Sequence, residues 1–205
     1  MNLAFFASGS GSNFEAVAKR CQSGEIAATA SVVICNVPGA GVFQRAESLG
    51  IPCLLVQRES FAEGKDFAAR LLEIFRSYKI DLILLAGYLR KLPGVVLRAF
   101  PNRVLNIHPA LLPAFGGKGM YGRRVHEAVL AAGCRMTGVT VHLVDEEYDH
   151  GTTVLQRTVE VQEGDTPETL AARVLELEHQ IYGDVVKLFV QNRVRFEEGR
   201  VHILE

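Results

Sequence analysis

Short apolar segments alternate with amphipathic ones along the first half of the chain, and this alternation constrains the fold most. Residues 2–7 form an apolar run that starts almost at the first residue, as central strands of parallel sheets do. The other elements predicted in this half are strands at 30–34, 52–56, 81–86 and 104–107 and helices at 14–21, 41–49, 61–78 and 93–99. Strands joined by helical crossovers predict an α/β fold, a doubly wound, mainly parallel sheet with helices on both faces.

The second half continues with fewer and longer elements. We predict a helix at 121–132, strands at 137–144 and 153–161, and a terminal hairpin of 193–196 and 200–204. Thr166 and Pro167 open the last helix, as N-cap and first helical residue. No linker or repeat interrupts the sequence, so we expect a single domain over residues 1–205 with halves of about 1–100 and 101–205.

Composition excludes several classes of protein. The 205 residues are 48% hydrophobic and 22% charged, which is typical of a globular domain. A net charge of −1 argues against a protein that holds long nucleic acid through phosphate contacts. No apolar run reaches membrane-spanning length, and the four cysteines show neither zinc nor C-x-x-C spacing. We therefore expect a reduced, cytoplasmic protein without membrane or nucleic-acid partners.

Residues 104–113 combine a short strand with polar residues at its end. Side chains alternate along a strand, so Asn106 and His108 share one face. Pro109 keeps His108 extended, which places an amide and an imidazole together at the carboxyl end of the strand. That end is where open α/β sheets bind ligands, and both groups can donate to a developing oxyanion. A turn Asn beside a structural His fits this segment equally well.

A glycine-rich turn, residues 8–13, links the first strand to the first helix. Glycines let backbone N–H groups approach an anion, and a helix N-terminus favours negative charge, so a phosphate site is predicted. The dinucleotide fingerprint fails, because Phe14 stands where its third glycine belongs and Asn36 follows the second strand in place of an acid. A plain tight turn is the alternative interpretation.

Two polar stretches follow in the second half. Thr140 and His142 share one face of the strand at 137–144 and are predicted to line the same cleft as His108, although a half-exposed polar face is equally consistent. The loop after it contains Asp145, Asp149 and His150, whose spacing matches no established calcium or zinc motif. We expect no metal.

Glu178 falls within the apolar stripe of the last helix, formed by Leu170, Val174, Ile181, Val185 and Leu188. A carboxylate on a packed face requires a partner, because an unpaired buried charge is strongly unfavourable. The partner is either an internal base such as Arg173 or a cationic or amino ligand.

Five segments resemble the glycinamide ribonucleotide transformylases, a family of formyltetrahydrofolate-dependent formyltransferases with a Rossmann-like fold. They are Ser-Gly-Ser-Gly-Ser-Asn at 8–13, Leu-Leu-Ala-Gly-Tyr-Leu-Arg at 84–90, Leu-Asn-Ile-His-Pro-Ala-Leu-Leu-Pro at 105–113, Gly-Val-Thr-Val-His at 138–142 with Asp149, and Leu-Glu-His-Gln-Ile-Tyr at 177–182. The third segment and Asp149 mark the wider superfamily. The first loop and Glu178 point to the glycinamide ribonucleotide member.

The resemblance implies a role for each matched position. Asn106, His108 and Asp149 would be catalytic, with Asp149 raising the pKa of His108 above its ordinary value so that the ring acts as an imidazolium. Residues implied to bind glycinamide ribonucleotide are Gly11, Ser12, Asn13 and Glu178. Residues implied to bind folate are Leu89, Arg90, Lys91, Leu92, Asn106, Asp145, Glu146, Glu147, Tyr148 and Asp149. Lys65 would meet the folate tail where the family often has arginine near position 64.

The implied reaction transfers the formyl group of 10-formyltetrahydrofolate to the amine of glycinamide ribonucleotide in purine synthesis, in a monomer or homodimer. A hydrolase of the same superfamily is one alternative, although such deformylases carry an N-terminal regulatory domain. A methionyl-tRNA formyltransferase would need a C-terminal RNA-binding domain. A non-catalytic nucleotide-binding module would keep the loop at 8–13 without requiring the three catalytic residues together.

Overall fold

The computed structural model describes residues 1–204, and within them nine strands, six α-helices and one short 3-10 helix, Arg58–Ser60. The strands are β1 Asn2–Ala7, β2 Thr29–Cys35, β3 Cys53–Leu55, β4 Leu82–Leu85, β5 Val104–His108, β6 Met136–Leu143, β7 Thr153–Glu160, β8 Val194–Glu197 and β9 Arg200–Ile203. The helices are α1 Ser12–Gln22, α2 Val42–Ser48, α3 Gly64–Ser77, α4 Gly94–Ala99, α5 Arg123–Ala131 and α6 Pro167–Val190.

Seven strands form one sheet in the order β3-β2-β1-β4-β5-β6-β7. Strand β1 runs parallel to both β2 and β4, and β2 runs parallel to β3, whereas β6 and β7 are antiparallel. This arrangement confirms the predicted doubly wound, mainly parallel α/β sheet. The predicted terminal hairpin is also confirmed, as the two-stranded sheet of β8 and β9.

Internal contacts divide the chain into two compact units, of which the first is Met1–Leu105. Its central strand, β1, is buried from Leu3 to Ala7. Phe5 packs edge-on against Phe14 of α1, while Phe6 packs against Phe75 of α3. Because consecutive strand residues point to opposite faces, these contacts place α1 and α3 on opposite faces of the sheet. The continuous apolar run of β1 follows from this double coverage.

The second unit begins at residue 106, and α6 is its longest element with 24 residues. Thr166 caps α6 in a reciprocal pair of hydrogen bonds with Thr169, and Pro167 is its first residue, as predicted. The apolar stripe is confirmed except at its end, where Phe189 is buried and Leu188 only half-buried. Neither α6 nor any other helix within residues 1–204 is long and apolar enough to cross a membrane.

Two helices begin later in the structure than the sequence predicts. Helix α5 begins at Arg123 and not at 121, because Gly122 has a φ of 56°, which a right-handed helix does not accommodate. Helix α3 begins at Gly64 and not at 61, since the chain first makes the separate 3-10 turn Arg58–Ser60.

Candidate active site

Strand β5 ends at His108, directly before Pro109, so the predicted extension of the strand through His108 is confirmed. His108 is 3% exposed and Asn106 is half-buried. Leu105 and Ile107, which alternate with them, are buried on the other face. The strand thus presents an amide and an imidazole side by side at its carboxyl end.

The two ring nitrogens of His108 have different surroundings. Nε2 lies 2.8 Å from the backbone oxygen of Phe115. Since a carbonyl oxygen only accepts hydrogen bonds, Nε2 carries a hydrogen and donates it. Nδ1 faces Oδ2 of Asp149 at 3.6 Å, a distance typical of an ion pair but too long for a hydrogen bond. Nδ1 is therefore the ring nitrogen that remains able to exchange a proton.

Burial lowers the pKa of His108 below its ordinary value of 6.5, although Asp149 and the Phe115 carbonyl act in the opposite direction. The prediction that Asp149 lifts the pKa above that value is therefore wrong in its net direction. The sign of the carboxylate's contribution was right, but the loss of hydration around a ring that is only 3% exposed outweighs it.

Asp149 reaches the site from the loop after β6, with a φ of 55°. Its Oδ2 accepts a hydrogen bond of 2.9 Å from the backbone N–H of Gly117, and its Oδ1 accepts one of 3.3 Å from Nδ2 of Asn106. Burial alone would raise the pKa of Asp149, but His108 and the hydrogen bond from the Gly117 N–H act against burial, and the pKa lies below its ordinary value. Asp149 is therefore a carboxylate at neutral pH.

His142 also reaches Asn106. Its Nε2 lies 3.0 Å from Nδ2 of Asn106 and 3.7 Å from Oδ1 of Asp149. The other ring nitrogen, Nδ1, lies 2.7 Å from the backbone oxygen of Leu143. His142 is 2% exposed, so the predicted polar face of β6 is buried at this position.

Thr140, on the same face of β6, supports the backbone that follows His108. Its hydroxyl donates to the Ala110 carbonyl at 2.7 Å and accepts from the Leu112 N–H at 3.0 Å. The amide of Gln156 on β7 donates to the same oxygen at 2.8 Å. Thr140 is completely buried, so its hydroxyl fixes the course of the loop after β5.

Hydrogen bonds within the acidic loop 145–150 join Asp145 to two other residues of the same loop. Oδ1 of Asp145 accepts from the Glu147 N–H at 2.8 Å, and Oδ2 pairs with Nδ1 of His150 at 2.6 Å. This pairing raises the pKa of His150 above its ordinary value. Glu146, Glu147 and Tyr148 are exposed. Within residues 1–204, no group of three or more His, Cys, Asp or Glu side chains is arranged to hold a metal ion.

In the first unit, the glycine-rich turn leads directly into α1. Gly11 has a φ of 77°, and a Cβ atom there would collide with Val42 of α2. Only glycine combines this conformation with this contact. Arg45 of α2 holds the turn from outside, because its Nε donates to the Ser10 carbonyl at 3.0 Å while its guanidinium pairs with Glu15.

The first turn of α1 carries the residues assigned to phosphate. Ser12 is the first helical residue and is half-buried, and Asn13 is buried. Backbone N–H groups in the first turn of a helix have no intrahelical acceptor and bear partial positive charge. The turn therefore has the geometry of an anion site.

Ser8 connects the glycine-rich turn to the segment assigned to folate. Its hydroxyl donates to Oδ1 of Asn36 at 2.7 Å and accepts from the Leu89 N–H at 3.0 Å. Asn36 therefore has a structural partner at the position where a dinucleotide site would carry an acid. The side chain of Leu89 is 46% exposed, whereas Leu92 is buried.

The charged residues assigned to folate in this unit lie at the surface. Arg90 pairs with Glu59 at 3.2 Å, and Lys65 pairs with Glu63 at 2.9 Å. Lys91 is exposed. Lys65 is in the first turn of α3 with a side chain that is 75% exposed, so it can move to meet an anionic ligand at little cost.

Glu178 is buried in α6 at 9% exposure, as its place in the apolar stripe predicts. The proposed internal base, Arg173, has other partners. Its guanidinium makes two hydrogen bonds of 2.8 Å to Asp165 and further ones to Gln162 and to the Glu160 carbonyl. Arg173 therefore stabilises the start of α6 and does not neutralise Glu178.

Sequence reasoning missed the groups of the loop 113–119 that contact the catalytic residues. The Phe115 carbonyl and the Gly117 N–H belong to the backbone, so their contacts with His108 and Asp149 cannot be predicted from a pattern of side chains. The two consecutive glycines at 116 and 117 were the one sequence feature that could have indicated a close backbone approach in this loop. A Cβ atom at Gly116 would collide with Leu112 and press against Asp149, so the position requires a residue without a side chain.

A family model described as formyl transferase matches residues 1–186. The chain therefore belongs to the formyl transferase family and is an enzyme. A formyltetrahydrofolate deformylase from Pseudomonas syringae has the same fold with a TM-score of 0.88, but it is only 22% identical over 66% of its own chain.

Within that family, the chain is similar to phosphoribosylglycinamide formyltransferases. The chain is 43% identical to the chloroplastic enzyme of Arabidopsis thaliana, over 99% of this chain and 70% of that protein. It is 39% identical to the Bacillus subtilis enzyme, over 90% of this chain and 92% of that one. The glycinamide ribonucleotide transformylase 1 of Symbiobacterium toebii superposes with a TM-score of 0.93 at 39% identity, covering 100% of this chain and 94% of that one.

Proposed function

We propose that the chain transfers the formyl group of 10-formyltetrahydrofolate to the amine of glycinamide ribonucleotide, a step of purine biosynthesis. The observation that carries the proposal is the contact of Asn106 and His108 with one carboxylate, Asp149, at the carboxyl end of β5. Relatives with the corresponding name cover nearly the whole chain. The acceptor, the donor and the role of each residue are parts of this proposal.

The acceptor's phosphate is assigned to the turn at Gly11 and the first turn of α1. The left-handed Gly11 and the N-terminus of an 11-residue helix support this assignment, because they orient backbone N–H groups toward an anion. Glu178 is assigned to the glycinamide end, where a carboxylate can accept hydrogen bonds from an amine or amide. Its place among buried apolar side chains of α6 supports a dedicated role.

The donor is assigned to two backbone segments, residues 89–92 and the loop 145–149. In each segment a side chain holds one backbone N–H, that of Leu89 by the Ser8 hydroxyl and that of Glu147 by the Asp145 carboxylate, so the course of the backbone is fixed there. Lys65 is assigned to the carboxylates of the folate tail as a mobile point charge, since its ammonium lacks the two-pronged geometry of arginine. The reaction as proposed requires no metal ion.

The proposed chemistry is direct acyl transfer. The acceptor nitrogen attacks the formyl carbon, the carbonyl oxygen becomes an oxyanion, and the bond between the formyl carbon and the folate nitrogen then breaks. One proton leaves the attacking amine and one reaches the folate nitrogen, with water as carrier. An N–H of Asn106 and the imidazole of His108 stabilise the oxyanion.

His108 changes its protonation state during this cycle. Burial keeps the pKa of the ring low in the free protein, so the neutral form predominates before substrates bind. An oxyanion beside the ring adds a second negative charge to that of Asp149, and two such charges favour the imidazolium. Because the Nε2–H group already donates a hydrogen bond to the Phe115 carbonyl, the proton enters and leaves at Nδ1.

Formyl transfer to a panel of amines tests the proposal. We expect purified protein to convert the formyl donor with glycinamide ribonucleotide and to convert it at least about 100-fold more slowly with glycinamide that lacks the phosphoribosyl group, because remote binding energy supports the reacting centre. Equal rates with both amines would contradict the acceptor assignment. Donor breakdown that does not depend on any amine would favour a deformylase.

A further inference from the structure

His142 is a buried imidazole whose hydrogen positions follow from its neighbours. Nδ1 lies 2.7 Å from the Leu143 carbonyl, which only accepts, so Nδ1 carries the hydrogen. In the neutral ring, Nε2 then bears a lone pair and acts as an acceptor. The atom 3.0 Å from this lone pair is Nδ2 of Asn106, which only donates. The contact is thus an Asn106 N–H donated to His142.

The amide of Asn106 has one favourable orientation in this environment. Its NH2 group has two hydrogens and two acceptors, Nε2 of His142 at 3.0 Å and Oδ1 of Asp149 at 3.3 Å. A rotation of the amide by half a turn would place its carbonyl oxygen against a lone pair and a carboxylate. Three acceptors would then face one another without a hydrogen, which is strongly unfavourable in a buried site.

The backbone of β6 and β7 is irregular at this position. The two strands pair Val141 with Leu155 but His142 with Thr153, so Val154 of β7 is an extra residue between them. Such a bulge bends the local strand and re-aims neighbouring side chains, and bulges are frequent beside active sites. The irregularity falls at His142, the residue whose ring must reach Asn106.

We propose that His142 is a positioning residue for formyl transfer, which accepts a hydrogen bond at Nε2 and thereby holds the Asn106 amide with its second N–H available to the oxyanion. The inference rests on the proposed function. The longer bond, from Asn106 to Asp149 at 3.3 Å, is the one that an oxyanion takes over, while the shorter bond to His142 persists. His142 acts through Asn106 and does not touch the substrate.

The proposed mechanism explains why a hydrogen-bond acceptor is needed beside the Asn106 amide. Without His142, the Asn106 amide can rotate and present its oxygen to the oxyanion, which converts a stabilising contact into a repulsive one. Loss of one oxyanion donor costs about 100- to 1000-fold in kcat in well-studied hydrolases. An amide that is correctly oriented only part of the time should cost somewhat less, on the order of 10- to 100-fold.

Nitrogen NMR of histidine-labelled protein tests the hydrogen positions without any assay of activity. In the wild type, we expect a hydrogen on Nδ1 of His142 and a lone pair on Nε2. In the Asn106→Asp variant, a carboxylate replaces the donating NH2, so Nε2 should gain a hydrogen that it can donate to the carboxylate. A hydrogen on Nε2 of His142 in the wild type would overturn the proposal.

A double-mutant cycle tests the functional claim. His142→Leu should lower kcat by about 10-fold or more with both KM values nearly unchanged, and His142→Gln, which retains an acceptor, should recover most of the loss. In an Asn106→Ala background, His142→Leu should have almost no further effect. Equal losses in both backgrounds would show that His142 acts independently of Asn106.

Two controls separate the possible failures. Thr137→Val makes a polar-to-apolar change at another buried position of β6, where the hydroxyl has no hydrogen-bond partner among residues 1–204, and should leave kcat unchanged. If it lowers kcat as much as His142→Leu, general disturbance of β6 is the cause and the proposal fails. A wild type that transfers no formyl group overturns the proposed function as well, whereas an active wild type with an additive cycle overturns only the role of His142.

Discussion

Oδ2 of Asp149 lies 3.6 Å from Nδ1 of His108, and the effect of this carboxylate on the pKa of His108 is opposite to the effect of burial. Burial lowers the pKa of His108 and Asp149 raises it, with burial the larger effect. The pair therefore provides a neutral imidazole that is prepared to accept a proton. A nearby negative charge, such as an oxyanion, shifts the balance toward the charged form.

Replacing Asp149 with Asn should lower the pKa of His108 further. The change removes the charge that favours the imidazolium while keeping most of the side chain's shape. Histidine NMR titration of the wild type and of Asp149→Asn measures the shift. Asp145→Asn is the matched control in the same loop, since it should lower the pKa of His150 and leave that of His108 in place. An unchanged His108 pKa in Asp149→Asn would remove Asp149 from the catalytic group.

Mild acid should reduce the free energy of unfolding. Burial lowers the pKa values of His108 and His126 in the folded protein, whereas histidines of the unfolded chain titrate near pH 6.5. As the pH falls below about 6.5, these two histidines bind more protons in the unfolded state than in the folded state. The free energy of unfolding therefore decreases progressively until the pH reaches the lowered pKa values of the folded protein. The raised pKa of His150 acts in the opposite direction and is common to the variants compared.

The variant His126→Gln isolates one part of this effect. It removes a buried imidazole whose Nδ1 has no hydrogen-bond partner in the part of the chain that the structure describes, and it leaves His108 and His150 in place. Urea unfolding at about pH 7.5, 6.5 and 5.5 should show a smaller loss of stability in the variant than in the wild type. Identical pH dependence in the two proteins would mean that His126 is protonated equally in the folded and unfolded states.

The phosphate turn is best tested at Ser12. Gly11 is unsuitable, because any side chain there meets Val42 and strains a φ of 77°. Ser12→Asp places a carboxylate in the first turn of α1. The negative charge interacts favourably with the helix dipole and so stabilises the helix, but it repels a phosphate. KM for glycinamide ribonucleotide should rise by about 10-fold or more, with the melting temperature preserved.

A matched control for Ser12→Asp is Ser60→Asp, which adds the same charge at an exposed position of the same unit. It should leave KM for the acceptor unchanged. If Ser12→Asp raises KM for the formyl donor and not for the acceptor, then the turn belongs to the donor and the assignment is wrong.

Glu178→Gln should weaken acceptor binding or turnover with little effect on folding. The amide fills the same space, and Arg173 is held by Asp165, so no internal ion pair between Arg173 and Glu178 is lost. The kinetic constants and melting temperature of Glu178→Gln and of Glu176→Gln, an exposed neighbour on α6, should be compared. A large fall in melting temperature with normal kinetic constants would make Glu178 a structural residue.

Side-chain patterns predicted the elements and the placement of individual residues, because those depend on local periodicity. The alternation before Pro109 placed Asn106 and His108 on one face, and the apolar stripe of α6 placed Glu178 in the interior. The balance between burial and charge at His108 was not predictable, because its sign depends on how completely the folded chain removes water from the ring. Backbone contacts such as that of Phe115 leave no side-chain pattern in a sequence.

The fate of an isotopically labelled formyl group tests the central claim most directly. Protein incubated with carbon-labelled 10-formyltetrahydrofolate and glycinamide ribonucleotide should move the label into the amide of the formylated ribonucleotide, in an amount equal to the tetrahydrofolate released. Without the acceptor, the label should stay on the folate. Label recovered as free formate, at the same rate with and without the acceptor, would contradict the account and identify a hydrolase.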